Sequence, residues 1–491
     1  MKKNNQAMKH FFKIIAIAFS ISVNAQITWD MGMNISTNTY SNMHPRMALD
    51  RLGNPLVVWG KMSGESVYFS KWNGTMFTTP VKLNPSWMTI ATASWQSADI
   101  ASHGDTVYVV VKRTPEISDT NRIFIFSSFN GGASFNTPVE LGFIADSISR
   151  FPTVTTDATG NPIVAFMKFN SSFGDSRWVV TKSSDYGSTF SIDNKASGWG
   201  NSAEVCDCCP GAIISEGNTC AMLYRNNNSN IRDSWSGISN NNATSFNSGF
   251  ALENNNWMLM SCPSSGPDGV IIGDTLYSTF VNGANGSYRN YLSKTSISAG
   301  TIGSFSNLTG AITGLSQQNY PRIASDENAM AIVWKQIVSG ASQLPILFTN
   351  DIANGFPASY DTVDIDNITN VDVAMSNGKL HVVWQDDASG TVKYRSGTYS
   401  QITTGISKES EYNFSIYPNP STDKLNIAIP ENKIASINIF NSLGEKIYSV
   451  QANSNLQIET SNLANGLYFI QVIPKVIGTQ NKLFTQKFIK Q

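Results

Sequence analysis

Two arginines, Arg46 and Arg322, stand at the same place in two similar stretches, His44-Pro45-Arg46-Met47-Ala48 and Tyr320-Pro321-Arg322-Ile323-Ala324. A guanidinium offers two parallel N–H groups that match a carboxylate in charge and shape, so arginines recurring in this way are candidate clamps for an acidic ligand. Arg150, just before Phe151-Pro152, lies close to the same position. Asp99 and Asp372 hold the equivalent place in other units, which gives a second reading: the arginines pair with these carboxylates and serve only as scaffold. His44 and Tyr320 are further pocket candidates. Tyr320 and Glu204 are the residue types of a nucleophile pair, although no spacing brings them together.

The other reactive string is Cys206-Asp207-Cys208-Cys209-Pro210, followed by Cys220 and Cys262. Cys209 and Cys262 fall at the same position of neighbouring units. A disulfide between them is expected if their Cα atoms come within about 7 Å, with a second bridge from Cys220 to Cys206 or Cys208. A thiolate metal site is the alternative for this odd number of cysteines. It is disfavoured because His10, His44, His103 and His381 lie elsewhere in the sequence and export favours disulfides. No metal and no cofactor is expected.

The elements that must position these groups are strands. Seven starts can be aligned: the two above, Ser97-Ala98-Asp99, Phe151-Pro152-Thr153, Cys209-Pro210-Gly211, Cys262-Pro263-Ser264 and Asn370-Val371-Asp372. They recur every 50 to 58 residues by their numbering. Each is followed by a turn and a run rich in β-branched and aromatic residues, such as Thr106 to Val111 or Lys379 to Trp384, and helical periodicity is absent. Short strands at such a period are the signature of propeller blades. The expected fold is therefore all-β, a seven-bladed β-propeller with six blades as the alternative, followed by a small C-terminal β-sandwich. The last unit lacks an outer strand, and Ile27 to Ile35 is available to supply it. Trp59, Trp334 and Trp384 recur on second strands, as core residues do.

Ser183-Ser184-Asp185-Tyr186-Gly187-Ser188-Thr189-Phe190 is a turn in which Asp185 bonds the backbone, Gly187 takes a conformation closed to other residues and Phe190 packs between sheets. Weaker copies run from Ser128 to Phe135, Ser239 to Phe246 and Thr349 to Phe356. This string matches the Asp-box, or bacterial neuraminidase repeat, and the body resembles sialidase-like propeller proteins. The resemblance implies a substrate carboxylate clamped by three arginines, a Tyr/Glu nucleophile pair and an Asp acid/base. The chain departs from that pattern, because the arginine element near the start of sialidases belongs in the first blade and Arg150 falls in the third.

Residues 1–25 carry Lys2, Lys3, Lys9 and Lys13, a short apolar run from Ile14 to Val23, and Val23-Asn24-Ala25. This is an export signal with cleavage expected after Ala25, and the apolar run is shorter than the roughly 20 residues that span a bilayer. No transmembrane segment is read. With 34 basic and 35 acidic residues, the chain has no polyanion footprint, and nucleic acid is excluded as a partner. After the body, 26–400, a polar linker at 401–411 leads to a C-terminal domain, 412–491. There Tyr417-Pro418-Asn419-Pro420, Ile437-Asn438-Ile439-Phe440-Asn441-Ser442-Leu443-Gly444, Leu463-Ala464-Asn465-Gly466-Leu467-Tyr468 and Phe488-Ile489-Lys490 together resemble the type A sorting domain of the type IX secretion system. The resemblance implies a bacterium of the Bacteroidetes type, contact with the secretion machinery through 412–491, and a secreted or cell-surface protein. Two functions stay open for the body: binding of glycan or protein ligands at the axis, and hydrolysis of the sialidase type. Binding is preferred, because no complete set of catalytic groups can be read.

Overall fold

The computed structural model describes residues 26–36, 40–116, 122–142, 147–200, 204–401, 414–428, 435–452, 454–474 and 484–491. The expected export signal, 1–25, and almost all of the linker lie outside the described residues. The chain divides into two units, Met1–Ile402 and Thr403–Gln491.

Among the described residues, the first unit holds seven antiparallel sheets of four or five strands. It is a β-propeller. The innermost strands are Asn42–Leu49, Asp99–His103, Ile148–Thr156, Ala212–Glu216, Asp268–Ile272, Leu315–Asp326 and Ile368–Ser376, and each touches the next in cyclic order, the last returning to the first. The second strands are buried along nearly their whole length, as in Pro162–Phe169, where all eight residues are buried. A sheet packed on both faces requires such unbroken apolar runs instead of alternation. That is why these segments read as continuous Val, Ile and aromatic stretches.

The ring closes through the N-terminus. Ile27–Trp29 pairs with Thr391–Tyr399, Ile27 opposite Tyr399, and Met33–Asn34 continues along the same strand. The last sheet thus gains the outer strand that its own repeat lacks, and its edge is hidden from other chains.

Two strand starts differ from the sequence reading. The fourth sheet's inner strand begins at Ala212 and the fifth's at Asp268, so neither Cys209-Pro210 nor Cys262-Pro263 is a start. The proline before the fifth strand is Pro267. A Cβ on the preceding Gly266 would come within 1.9 Å of the Pro210 carbonyl oxygen, so a side-chain-free residue is required there. The second and fourth sheets also carry an unforeseen short strand each, Thr89–Ile90 and Glu204–Val205.

The Ser183 turn is a closed hydrogen-bond circuit. Asp185 accepts from Ser183 Oγ at 2.7 Å, Thr189 N at 2.8 Å and Thr189 Oγ1 at 2.7 Å, while Gly187, at φ 89°, donates its N–H to Ser183 Oγ. The Thr189 and Ser183 donors hold the Asp185 carboxyl down to about 2. Asn130 and Asn241 accept in the same way from Ser134 N and Ser245 N. Asp185→Asn is therefore expected to leave the melting temperature within a few degrees of wild type. Asp185→Ala, which removes every side-chain acceptor, should lower it by more, and thermal melts of the two variants check this.

The second unit is a small two-sheet sandwich, one sheet of Ser415–Tyr417, Lys424–Ala428 and Leu456–Glu459, the other of Ala435–Asn441, Lys446–Ala452, Gly466–Pro474 and Phe484–Lys490. Phe414, Leu425, Ile427, Ile437, Ile439, Ile470 and Phe488 form its core. Two of its strands carry no strand signal in the sequence: the three-residue Ser415–Tyr417 and the largely exposed Lys446–Ala452, which lacks apolar alternation.

Candidate functional site: the axial cavity

Four inner strands carry the same distortion. Their ladders shift register between Met43 and Arg46, Arg150 and Thr153, Asn319 and Arg322, and Thr369 and Val371. At each shift one residue adopts the left-handed conformation: His44 at φ 54°, Phe151 at 53°, Tyr320 at 52° and Asn370 at 54°. A bulge re-aims a side chain and frees a position from donating to the ladder, which explains the proline that follows in three of the four. The strain of four such residues is typical of sites held open for a purpose. All four line one cavity on the ring's axis, together with Arg46, Trp95, Asp99 and Arg322. Its space for water-sized molecules is about 60 Å³, within about 660 Å³ of unfilled space that includes the open mouth.

Below the bulges, carboxylates staple neighbouring sheets. Asp99 accepts from Thr153 Oγ1 at 2.7 Å and Val154 N at 3.1 Å, Asp268 from Ile323 N at 3.0 Å, and Asp372 from Met47 N at 2.8 Å. Arg322 sits between two of them, its Nε 3.0 Å from Asp372 Oδ1 and 3.3 Å from Asp268 Oδ2. Burial alone would lower the Arg322 pKa, but Asp268 and Asp372 overcome it and raise it. Burial in turn raises the Asp268 carboxyl, against the pull of Arg322.

Arg46 is different. Its side chain makes one hydrogen bond, from Nη1 to its own Pro45 carbonyl at 2.8 Å, and no carboxylate of the described residues lies within ion-pair distance. Burial, followed by repulsion from Arg322, pushes its pKa down to about 10, against the weaker attraction of Asp372, Asp99 and Asp268 from beyond ion-pair distance. His44 is buried beside it. Desolvation and the Arg46 charge hold its pKa well below the usual imidazole value, so the ring is neutral. Its backbone N–H donates to Gln385 Oε1 at 3.0 Å, and Asn370 Nδ2 donates to the Ser94 carbonyl at 2.5 Å, fixing the loop that carries Trp95. Trp95 itself is 44% exposed. The Tyr320 hydroxyl makes no hydrogen bond to the described residues.

The seven ring and pocket positions read from the sequence thus divide. Arg46, Arg322, His44, Tyr320 and Asp99 line the cavity, and Asp372 lies against Arg322 beneath it. Arg150 does not converge with the other arginines. It is held bidentately by Glu116, at 2.7 Å on both oxygens, lies over Phe169 and Phe173, and faces an adjoining groove. Glu204 is on a short strand paired with Asn226 and Asn227, away from Tyr320, so the nucleophile pair is not assembled. Trp59, Trp334 and Trp384 are core, at 1% exposure or less. Trp95 and Asp268 were missed: Trp95 sits in a loop without strand pattern, and Asp268 was hidden by the misplaced fifth start. An aromatic among polar loop residues was the available signal for the first.

The cysteines pair differently from the expectation. Cys206 joins Cys209 and Cys208 joins Cys262, while Cys220, the expected partner of Cys206 or Cys208, is a buried free thiol whose pKa burial raises. The expected Cys209–Cys262 bridge failed because the two residues precede their strands at different distances.

Residues 415–491 match the family model described as a secretion system C-terminal sorting domain, and the type IX system exports the chain to the cell surface or the extracellular space. No helix of the described residues is long and apolar enough to cross a membrane. No curated protein matches the chain. Solved structures similar in fold include a protein of unknown function from Dyadobacter fermentans, at 11% identity and TM-score 0.45, covering 64% of this chain and 96% of that one. The sialidase of Trypanosoma rangeli with sialic acid aligns at 8% identity and TM-score 0.44, covering 93% and 88%. An α-L-arabinofuranosidase of Fusarium graminearum aligns at 11% and 0.44, covering 66% and 99%.

Proposed function

We propose that the axial cavity binds a saccharide bearing a carboxylate, without cleaving it, outside the cell. The observation that carries this reading is Arg46: a guanidinium lining an open cavity with no carboxylate within ion-pair distance among the described residues. A cation held without its counter-ion is costly in the free protein and is compensated when an acidic ligand supplies two charge-assisted hydrogen bonds. The exposed face of Trp95, with Phe151 and Tyr320 nearby, suits the apolar face of a sugar ring. Binding is favoured over hydrolysis because glycoside cleavage needs an available acid and a nucleophile or base. Asp99, the carboxylate lining the cavity, is committed to Thr153 and Val154, and the cavity holds no glutamate among its lining residues.

The N-terminal processing belongs to the same reading. Cleavage after Ala25 leaves Ile27 next to the new terminus, free to complete the last sheet, in a protein made by a bacterium of the Bacteroidetes type. The Ser183, Asp185, Gly187 and Phe190 turn acts as a structural Asp-box. Contact with the type IX machinery through 412–491 delivers the body to its ligand.

A panel of uronate- and sialate-containing oligosaccharides, each paired with its carboxyl-reduced counterpart, tests the proposal. The acidic member of at least one pair should bind at least tenfold more tightly than the reduced one, with no turnover of a fluorogenic sialoside. Equal binding within every pair contradicts the acidic-ligand reading. Sialoside turnover that Arg46→Ala or Arg322→Ala abolishes contradicts the non-catalytic one.

A further inference from the structure

Beside the axial cavity the four sulfurs of Cys206, Cys208, Cys209 and Cys262 all lie within 4.8 Å of one another. Sulfurs not joined by a disulfide are close as well: Cys206 to Cys208 at 3.8 Å and Cys209 to Cys262 at 4.0 Å. Four thiolates around a tetrahedral zinc, at about 2.3 Å each, are about 3.8 Å apart. Two of the non-bonded pairs thus stand at about the spacing a tetrathiolate site requires, and the disulfide-bonded pairs would have to separate to reach it.

Arg232 supplies the independent observation. Its side chain is almost fully buried, at 9% exposure, and its charge has no carboxylate partner within ion-pair distance among the described residues. Nη1 donates to Cys206 Sγ at 3.3 Å and Cys208 Sγ at 3.7 Å, while Nε has no hydrogen-bond partner. The nearby Arg225 adds a like charge, itself offset by Glu253 and Asp233. Two neutral disulfides give this buried cation no counter-charge, and a buried charge without one is strongly unfavourable. A divalent metal on four thiolates carries a net charge of minus two and provides it. The Ser264 N–H and hydroxyl, 3.3 and 3.6 Å from Cys262 Sγ, are further donors suited to a thiolate.

We propose that this cluster, in its reduced form, is a site for one soft divalent cation of the zinc type, held by Cys206, Cys208, Cys209 and Cys262 with Arg232 as its counter-ion. The two disulfides are its oxidised form. Two equivalents of a dithiol reductant, each oxidised to its own disulfide, supply the two electrons and two protons that each protein disulfide takes up, and the metal then displaces the four thiol protons to solvent. Cys208 and Cys262 line the groove beside the axial cavity, which gives reductant and metal a route in.

In the test, the full chain is reduced under argon with a phosphine, which leaves as its oxide with an oxygen from water, then desalted and titrated with zinc against a chromophoric chelator. The expected result is one zinc per chain, with the four cluster thiols protected from alkylation until a chelator removes the metal, while the buried Cys220 stays unreactive in both states. Cobalt should give the intense visible bands of a tetrahedral sulfur site. Cys262→Ser should weaken zinc binding by at least a hundredfold and Arg232→Gln by about tenfold, whereas Cys220→Ser should leave it unchanged. Circular dichroism reports folding in every case. A folded, reduced chain that retains no zinc overturns the proposal, as does zinc affinity insensitive to Cys262→Ser, or a chain that unfolds on reduction and is not refolded by zinc.

Discussion

Arg322→Ala is expected to destabilise the propeller by about 3 to 5 kcal/mol, because it leaves two buried carboxylates facing each other without their cation. Asp268 and Asp372 are 7% and 6% exposed at the side chain, and Arg322 pairs with both. Each aspartate also accepts a backbone N–H of the next sheet, so their repulsion acts directly on two of the seven inter-sheet contacts. Arg46→Ala has the opposite character. It removes a cation that repels Arg322 but is also attracted by Asp372, Asp99 and Asp268 from beyond ion-pair distance, so stability should stay within about 1 kcal/mol of wild type. Urea denaturation of the two variants separates the arginines. Equal losses would mean that Arg46 is scaffold as well.

The second large effect concerns closure. A chain beginning at Tyr40 lacks the strand that pairs with Thr391–Tyr399, and with it the buried Ile27 and Ile35. Two buried isoleucines contribute about 1.5 to 3 kcal/mol each. The lost hydrogen bonds include Ile35 N to Val392 O at 2.8 Å, Asp30 N to Ser396 O at 2.9 Å and Trp29 Nε1 to Asp361 Oδ2 at 3.1 Å, each worth about 1 kcal/mol net. The sum is about 5 kcal/mol or more, comparable with the whole stability of an ordinary domain. The truncated chain should therefore unfold at a much lower urea concentration and associate through its open edge, which sedimentation would detect. An unchanged midpoint would show that the ring does not depend on its N-terminal strand.

The repeat architecture was legible because each sheet repeats a strand start, proline-marked in four of the seven, and one nearly unbroken apolar strand in a fixed order, and both are visible without contacts. Where the marker was not a proline at the bulge, as at Gly211, or where a loop proline imitated it, as at Pro263, the alignment slipped. The cysteine pairing and Asp268 were lost with it. The site was half legible. Arg46 and Arg322 share one position in the repeat and His44 and Tyr320 another, so their convergence follows from ring geometry. What could not be read is which arginine is neutralised. That depends on Asp268 and Asp372 flanking Arg322 within ion-pair distance on both sides, while Arg46 feels Asp372, Asp99 and Asp268 only from beyond that distance. Trp95 was invisible for a related reason: a loop residue acquires its place from the Ser94 carbonyl that Asn370 holds, a contact 276 residues away in sequence. Likewise, Cys206 and Cys209 have the spacing of a metal-binding pair, yet only the fold brings Cys208 and Cys262 beside them.

The central claim is that Arg46 is kept without a counter-ion so that a ligand can provide one. Calorimetric titration of wild type and Arg46→Ala with the tightest-binding acidic oligosaccharide addresses it most directly. Loss of two charge-assisted hydrogen bonds predicts an affinity at least tenfold weaker for the variant, at undiminished thermal stability. Wild-type affinity in Arg46→Ala would contradict the account.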